Sequence, residues 1–393
     1  MSFSQPGLTC YQQFLRGKRI AILDGLLASS STTQPSPRSV WTRILATIVF
    51  FTAFEGILFH SGLYSSIVEP DSTTGFMELQ LRNEIRRPKL NRNQVLAVGD
   101  SRMPLLPRVV NEAGSGYTFA SIALGGTSPR TWYYALRAVD PNASNYAAIV
   151  IPSADYNEPD NFDYQSERET DLHYLIGRVG LRDLGEFPWT YRDKRLQWVI
   201  VRGMILKGTV YKRDFIEFLD HPLKRIAKAR YYDHDSAGWY YVYGGSDKNL
   251  AGLRIDWQHQ TIQVPDRITS SERNQIEAML FPALRPGEGR ETAYLRYWYG
   301  RIIDYYRRSG TKLIFIRVPR APLSPPDEPP KLDSAIRGIA SQPNVVVLNE
   351  HLFDQLEHPD LFWDGWHMNR DGMEQFSRAL ATAVERVLGP PQP

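Results

Sequence analysis

The sequence predicts an α/β protein: a doubly wound, parallel, five-stranded sheet that carries a large insertion and is preceded by one N-terminal transmembrane helix. Three observations lead there. Short apolar runs closed by turn-forming residues recur from about residue 94, stretches of helical spacing lie between them, and a 21-residue apolar segment stands ahead of both. Composition agrees, since the 393 residues are 42% hydrophobic and 12% aromatic with a formal charge of +3 and one cysteine. A single cysteine excludes a disulfide-stapled miniprotein. That hydrophobic and aromatic content excludes a chain unable to offset its ordering entropy. Near-neutral charge argues against a dedicated nucleic-acid binder, which needs a concentrated basic surface.

The mean hydropathy of −0.37 excludes a polytopic membrane protein, but an average over the chain hides one span. Residues 44–64 read ILATIVFFTAFEGILFHSGLY, close to the ~20 residues that cross a bilayer core. Glu55 and His60 weaken the second half, and a buried core helix is the alternative reading. Arg16, Lys18, Arg19, Arg38 and Arg43 precede the segment, while Glu69 and Asp71 follow it. The positive-inside bias therefore predicts a cytoplasmic N-terminus, with everything after about residue 65 outside, on the periplasmic or cell-surface side of a bacterial membrane. A cleaved signal peptide fits poorly, because the apolar run begins past residue 40 and lacks a small-residue cleavage site. The predicted organisation is a tail and linker over 1–43, an anchor over 44–64, a juxtamembrane linker over 65–93 and a domain over 94–388. Within the tail, 14–27 has the spacing of a surface helix and 29–39 that of a flexible Ser/Thr/Pro linker.

Strands buried on both faces read as unbroken apolar runs, and these occur at 94–99, 117–124, 147–152, 312–319 and 345–348. Helical spacing marks 131–139, 292–308, 332–340 and 371–387. Alternation of this kind predicts right-handed crossovers, with helices on both faces of the sheet. About 160 residues separate the third run from the fourth, so an insertion is expected at about 160–300. Its aromatic residues (Tyr231, Tyr232, Trp239, Tyr240, Tyr241, Tyr243 and Trp257) suggest a folded cap, a carbohydrate-contacting face or plain packing surface. Its basic residues, Arg192, Lys194, Arg195, Lys212, Arg213, Lys224 and Arg225, suit either a solvated face or contact with anionic polymer or lipid headgroups.

In open parallel sheets the ligand lies beyond the carboxyl ends of the strands. Those ends carry Asp100, Ser101 and Arg102, then Gly125, Gly126 and Thr127, then 153–157, and finally a loop leading to Asp364, Gly365, Trp366 and His367. A serine hydroxyl becomes a nucleophile when an imidazole takes its proton, and the imidazole needs a carboxylate to fix its tautomer. Ser101 in VLAVGDSRM supplies the hydroxyl, and Asp364 and His367 in FWDGWHMNRDG supply the other two groups. Backbone N–H groups of Ser101 and of Gly125 or Gly126, with the amide of Asn157, are the candidate oxyanion donors. Arg102, Asp155, Arg317 and Trp366 are candidate substrate contacts, and the proline-rich run after Arg317 reads either as one wall of an acceptor groove or as a plain surface loop. No metal or cofactor is expected: His221, His234 and His259 lack a compact ligand spacing, and the turn after the first strand holds no Gly-x-Gly-x-x-Gly.

This order of segments resembles the SGNH/GDSL hydrolase superfamily, whose blocks carry Ser, Gly, Asn and His in that chain order. The GDSR stretch at 99–102 is similar to the first block, ALGGTS at 123–128 to the second, and the Asp-x-x-His of Asp364 and His367 to the last. The third block departs from the usual Gly-x-Asn-Asp; in PSADYNEPD either Asn157 or Asp155 occupies it. Arg102 stands where that superfamily usually has Leu. A membrane-tethered domain of this kind resembles the accessory proteins of bacterial polysaccharide O-acetylation, including the alginate acetyltransferase group. The resemblance implies an acyl-serine on Ser101, a polysaccharide acceptor and a polytopic membrane-bound O-acyltransferase as donor partner. A surface esterase and a catalytically silent glycan-binding scaffold are the alternatives.

Overall fold

A computed structural model describes residues 37–89, 93–103, 105–114, 116–153, 169–234, 249–281, 290–319 and 335–391. The expectations placed on 14–27, 29–36, Asp155, Asn157, 239–243 and the proline-rich run at 320–330 lie outside the described residues. The chain divides into two compact units, 1–54 and 55–393.

The described part of the first unit belongs to helix α1 (Pro37–Glu55). Its large apolar side chains face outward; Trp41 and Phe50 are 70% and 72% exposed. The stretch Val40–His60 is long and apolar enough to cross a membrane. This sits a few residues earlier than the sequence predicts, because the helix stops at Ser61 and Gly62 takes a φ of +84°. Tyr64 is then fully buried, where an end of the span would leave it facing lipid.

The second unit is an α/β structure. Its central sheet comprises β1 (Gln94–Gly99), β2 (Thr118–Ala123), β3 (Ala148–Pro152), β6 (Lys312–Ile316) and β7 (Val345–Val347), in the spatial order β2-β1-β3-β6-β7. All four pairings are parallel. Period-two alternation sends Leu96, Val98, Ile149, Ile151 and Phe315 to one face and Val95, Ala97, Val150, Ile314 and Ile316 to the other. The first face is covered by α2 (Thr73–Arg86), α4 (Pro129–Val139), α5 (Glu169–Arg178), α6 (Lys194–Ile205), α10 (Arg290–Tyr306) and α11 (Ala335–Ile339). Against the second lie α3 (Pro107–Glu112), α9 (Ser270–Leu280), α12 (Arg370–Leu388) and a small antiparallel hairpin of β4 (Arg254–Asp256) and β5 (Thr261–Gln263).

Two regions differ from the sequence-based expectation. Residues 65–93 hold α2, capped by Ser72, whose Oγ accepts the Gly75 N–H at 3.0 Å. Met77 and Leu81 of this helix are core residues, so Thr73–Arg86 is part of the folded unit where the sequence predicts a juxtamembrane linker. Between β3 and β6, α7 (Gly208–Asp220) and α8 (Pro222–His234) join α5 and α6 in a helical layer. Of the aromatics predicted there, Tyr232 donates to Asp71, Trp257 packs edge-on to Phe281 at 5.5 Å, and Tyr231 is 63% exposed.

Candidate active site

The strand order places a topological switch between β1 and β3, because the chain leaves β1 toward β2 on one side and returns to β3 on the other. β1 ends at Gly99, where a Cβ would lie 2.6 Å from Pro152 Cγ and 2.8 Å from Met103 Cβ. Glycine is thus required for β1 to leave the sheet against the last residue of β3. The chain then turns: Met103 N–H donates to the Asp100 carbonyl at 3.1 Å, and Arg102 N–H donates to Asp100 Oδ1 at 2.9 Å. Ser101 is the second residue of that turn.

A second, equally constrained loop meets it. Phe362 and Met368 form an antiparallel bridge, and Trp363 N–H donates to the His367 carbonyl at 2.8 Å. Inside this loop Asp364 Oδ1 accepts the backbone N–H groups of Trp366 at 2.8 Å and His367 at 2.7 Å. Asn369 ends the loop and caps α12, accepting the Gly372 N–H at 3.0 Å and donating to the Asp360 carbonyl at 2.7 Å. A Cβ on Gly372 would lie 2.3 Å from the Leu361 carbonyl oxygen, so the loop and the first turn of α12 are in close contact.

Across the gap, Ser101 Oγ lies 3.0 Å from His367 Nε2, and His367 Nδ1 lies 2.8 Å from Asp364 Oδ2. The carboxylate only accepts, so the imidazole proton sits on Nδ1 and the Nε2 lone pair faces the serine hydroxyl. Asp364 is buried, while Ser101 and His367 are partly open to solvent. Such an array can take a proton from an attacking oxygen and return it to a leaving one. No family model matches the chain, and no curated protein is similar to it.

The remaining candidates are distributed unevenly. Gly125 and Gly126 form the turn directly after β2, beside the end of β1, since Leu124 N–H donates to the Gly99 carbonyl at 2.8 Å. Gly126 has a φ of +71°, a conformation that side chains with a Cβ rarely adopt. Arg102 holds Asp100 in an ion pair at 3.0 Å, and its guanidinium lies 5.6 Å from the Trp366 ring. Arg317 is engaged by Asp354 at 3.0 Å and Glu357 at 2.8 Å, bracing the exit of β6 against the chain that follows β7.

One contributor escaped the sequence reading. Trp366 Nε1–H donates to the Met279 carbonyl at 2.8 Å, and a Cβ on Gly365 would sit 3.0 Å from Met279 Cβ, so α9 buttresses the histidine loop. A backbone carbonyl from an unpatterned helix leaves no sequence signal. Beyond Gly126, Ser128 Oγ shares a hydrogen bond of 2.7 Å with Tyr294 OH, and the fully buried Arg130 stacks 3.7 Å from the Tyr191 ring. Among the described residues, no three His, Cys, Asp or Glu side chains converge as a metal site.

Proposed function

We propose that this protein transfers an acyl group, in the first instance acetyl, to an extracytoplasmic or cell-wall polysaccharide through an acyl-serine intermediate on Ser101. The observation that carries the reading is the relay from Ser101 Oγ to His367 Nε2 at 3.0 Å and from His367 Nδ1 to Asp364 at 2.8 Å, at the switch point of a parallel sheet. The SGNH-like order of GDSR, ALGGTS and Asp-x-x-His supports it independently, as does an apolar helix able to hold the domain at a membrane.

In this reading Ser101 Oγ attacks the acyl carbonyl carbon while His367 Nε2 takes the hydroxyl proton. The tetrahedral intermediate collapses by breaking the bond to the donor oxygen, which leaves with the proton from Nε2. An acceptor hydroxyl then enters, gives its proton to Nε2 and attacks the acyl-serine. Its collapse releases the acylated acceptor and returns the proton to Ser101. N–H donors at Ser101 and the Gly125–Gly126 turn are the proposed stabilisers of the oxyanion, with Asn157 or Asp155 in the third position. Arg102 and Trp366, at the rim beside Ser101, are proposed to contact the acceptor. A polytopic membrane-bound acyltransferase is the proposed donor partner.

Hydrolysis is the second reading, favoured by the partial solvent exposure of Ser101 and His367, since water competes with the acceptor for the same acyl-serine. Ser101→Ala is expected to lower activity toward small acetyl esters by about 10³-fold or more and to prevent capture of acylated enzyme by mass spectrometry. Unchanged activity in this variant rules out serine chemistry. Acylated oligosaccharide formed from an acyl donor and a glycan supports transfer, and release of free acid alone supports the esterase.

A further inference from the structure

The helical layer that receives the chain as it leaves the apolar segment has an outward face that nothing in the proposed chemistry uses. Gly208 N–H donates to Glu55 Oε1 at 2.8 Å, and His60 Nε2 bonds the Ile205 carbonyl at 3.1 Å. Phe59 and Tyr64 are buried against Tyr211, Phe215 and Phe218 of α7, with ring centroids 5.3–6.0 Å apart. The stretch able to cross a membrane ends at His60, so α7 is fixed within a few residues of the point where the chain would emerge from lipid.

Residues 211, 215 and 218 form the inner stripe of α7, and helical spacing turns Lys212, Ile216 and Leu219 the other way. Ile216 and Leu219 are 53% and 58% exposed. On α6 the same spacing exposes Trp198, Arg202 and Ile205, with Trp198 66% exposed. Ile57 and Leu63 of the emerging segment are exposed too, and Leu223, at the start of α8, is 82% exposed. Arg195, Arg213 and Lys224 are exposed on the same three helices. Arg213 spends part of its charge on Glu217 at 3.3 Å, and Asp220 is the other exposed carboxylate of α7.

Large apolar side chains interleaved with lysine and arginine are what an interfacial helix presents to lipid: the apolar groups enter the headgroup boundary and the cations meet its phosphates. Continuity with the apolar segment and the excess of positive charge both select a membrane over a soluble partner. We propose that the outer face of α6 and α7 rests on an anionic phospholipid surface. This would tether the domain at a fixed attitude as well as a fixed distance.

The test uses the full chain in vesicles. Cys10 is the only cysteine, so a Cys10→Ser background allows a single spin label at Ile216→Cys, with Thr382→Cys on α12, which covers the opposite face of the sheet, as aqueous reference. In vesicles containing phosphatidylglycerol, the label at 216 is expected to collide with dissolved oxygen and to be shielded from a water-soluble nickel chelate, whereas the label at 382 meets the chelate freely. Removing the charge of Lys212 or Arg202 with glutamine is expected to lower the ratio of docked to undocked domain about fivefold each, the equivalent of about 1 kcal/mol per basic residue at such a surface. Equal chelate access at 216 and 382 overturns the proposal. Equal shielding on phosphatidylcholine alone overturns the anionic requirement, and dipolar coupling between labels at 216 would instead assign the face to a second copy of the chain.

Discussion

Asp364 carries three contacts on two oxygens. Oδ1 takes two backbone N–H groups and sets the loop, and Oδ2 takes the imidazole proton and sets the tautomer of His367. Loop geometry and proton placement therefore depend on one side chain, and the two roles separate in Asp364→Asn. The amide oxygen still accepts from the backbone, but the amide nitrogen then faces Nδ1 and forces the proton onto Nε2, where it opposes the serine hydroxyl. The expected result is a fall in kcat of about 10²–10⁴-fold with KM little changed and cooperative unfolding preserved. Steady-state kinetics alongside thermal unfolding would check it; an unaltered kcat would remove His367 orientation from the role assigned to Asp364. These residues were legible because strand ends and a short Asp-x-x-His spacing are local patterns. The Met279 carbonyl that steadies Trp366 was not, since every residue owns a carbonyl.

At the scale of elements, the central strands are visible in the sequence because a parallel strand covered on both faces has no polar side to break its apolar run. Helix α2 is invisible for the opposite reason. Two of its buried residues are Glu78 and Glu84, which a sequence reading assigns to solvent. Their partners are remote: Arg178 Nε reaches Glu78 at 2.6 Å, and Tyr146 OH donates to Glu84 at 2.6 Å. Glu84 also holds Arg87 and Lys89, each at 2.7 Å. Burial pushes the Glu84 carboxyl up, but the hydrogen bonds and charge of Arg87, with the hydrogen bonds from Lys89 and Tyr146, outweigh it and leave the group below the usual carboxylate value. A depressed folded value means that Glu84 adds stability above its unfolded pKa of about 4.3, and that this is lost as pH falls through the folded value. Glu84→Gln is expected to cost about 3 kcal/mol at neutral pH by leaving Arg87 and Lys89 without their anion. The gap to the wild type should shrink as pH falls from about 5 toward about 3. Urea unfolding across that range would show it, and a gap independent of pH would mean that Glu84 is not ionised in the fold.

For the molecule as a whole, the relay joins residues 266 positions apart, so its geometry is a property of the closed sheet and of everything that packs the sheet shut. The order of the chemical segments could be read from the sequence, but the point where the folded unit begins could not. Apolar patterning suggests a start near residue 94, whereas the compact unit runs from Glu55. Nothing local marks the earlier boundary, because 55–64 is held by α7 and α2 by the sheet-side core, both formed by residues far along the chain. A chain beginning at residue 94 loses Met77, Leu79 and Leu81, which are 1%, 4% and 1% exposed. Each buried side chain of this kind stabilises by about 1.5–3 kcal/mol, so the loss rivals the 5–15 kcal/mol that holds an ordinary domain together. It also uncovers Arg178 and Tyr146, whose carboxylate partners leave with α2. Chains beginning at 55, 65 and 94 should therefore behave differently. The first is expected to unfold cooperatively; the second loses the packing of Phe59 and Tyr64 on Tyr211 and should melt lower while keeping the Ser101–His367 pair. The third should lack a cooperative transition. Circular dichroism melting of the three would decide the matter: a cooperative transition at the same Tm for the chain from 94 would show that α2 lies outside the folding unit and that the apolar patterning had marked the true boundary.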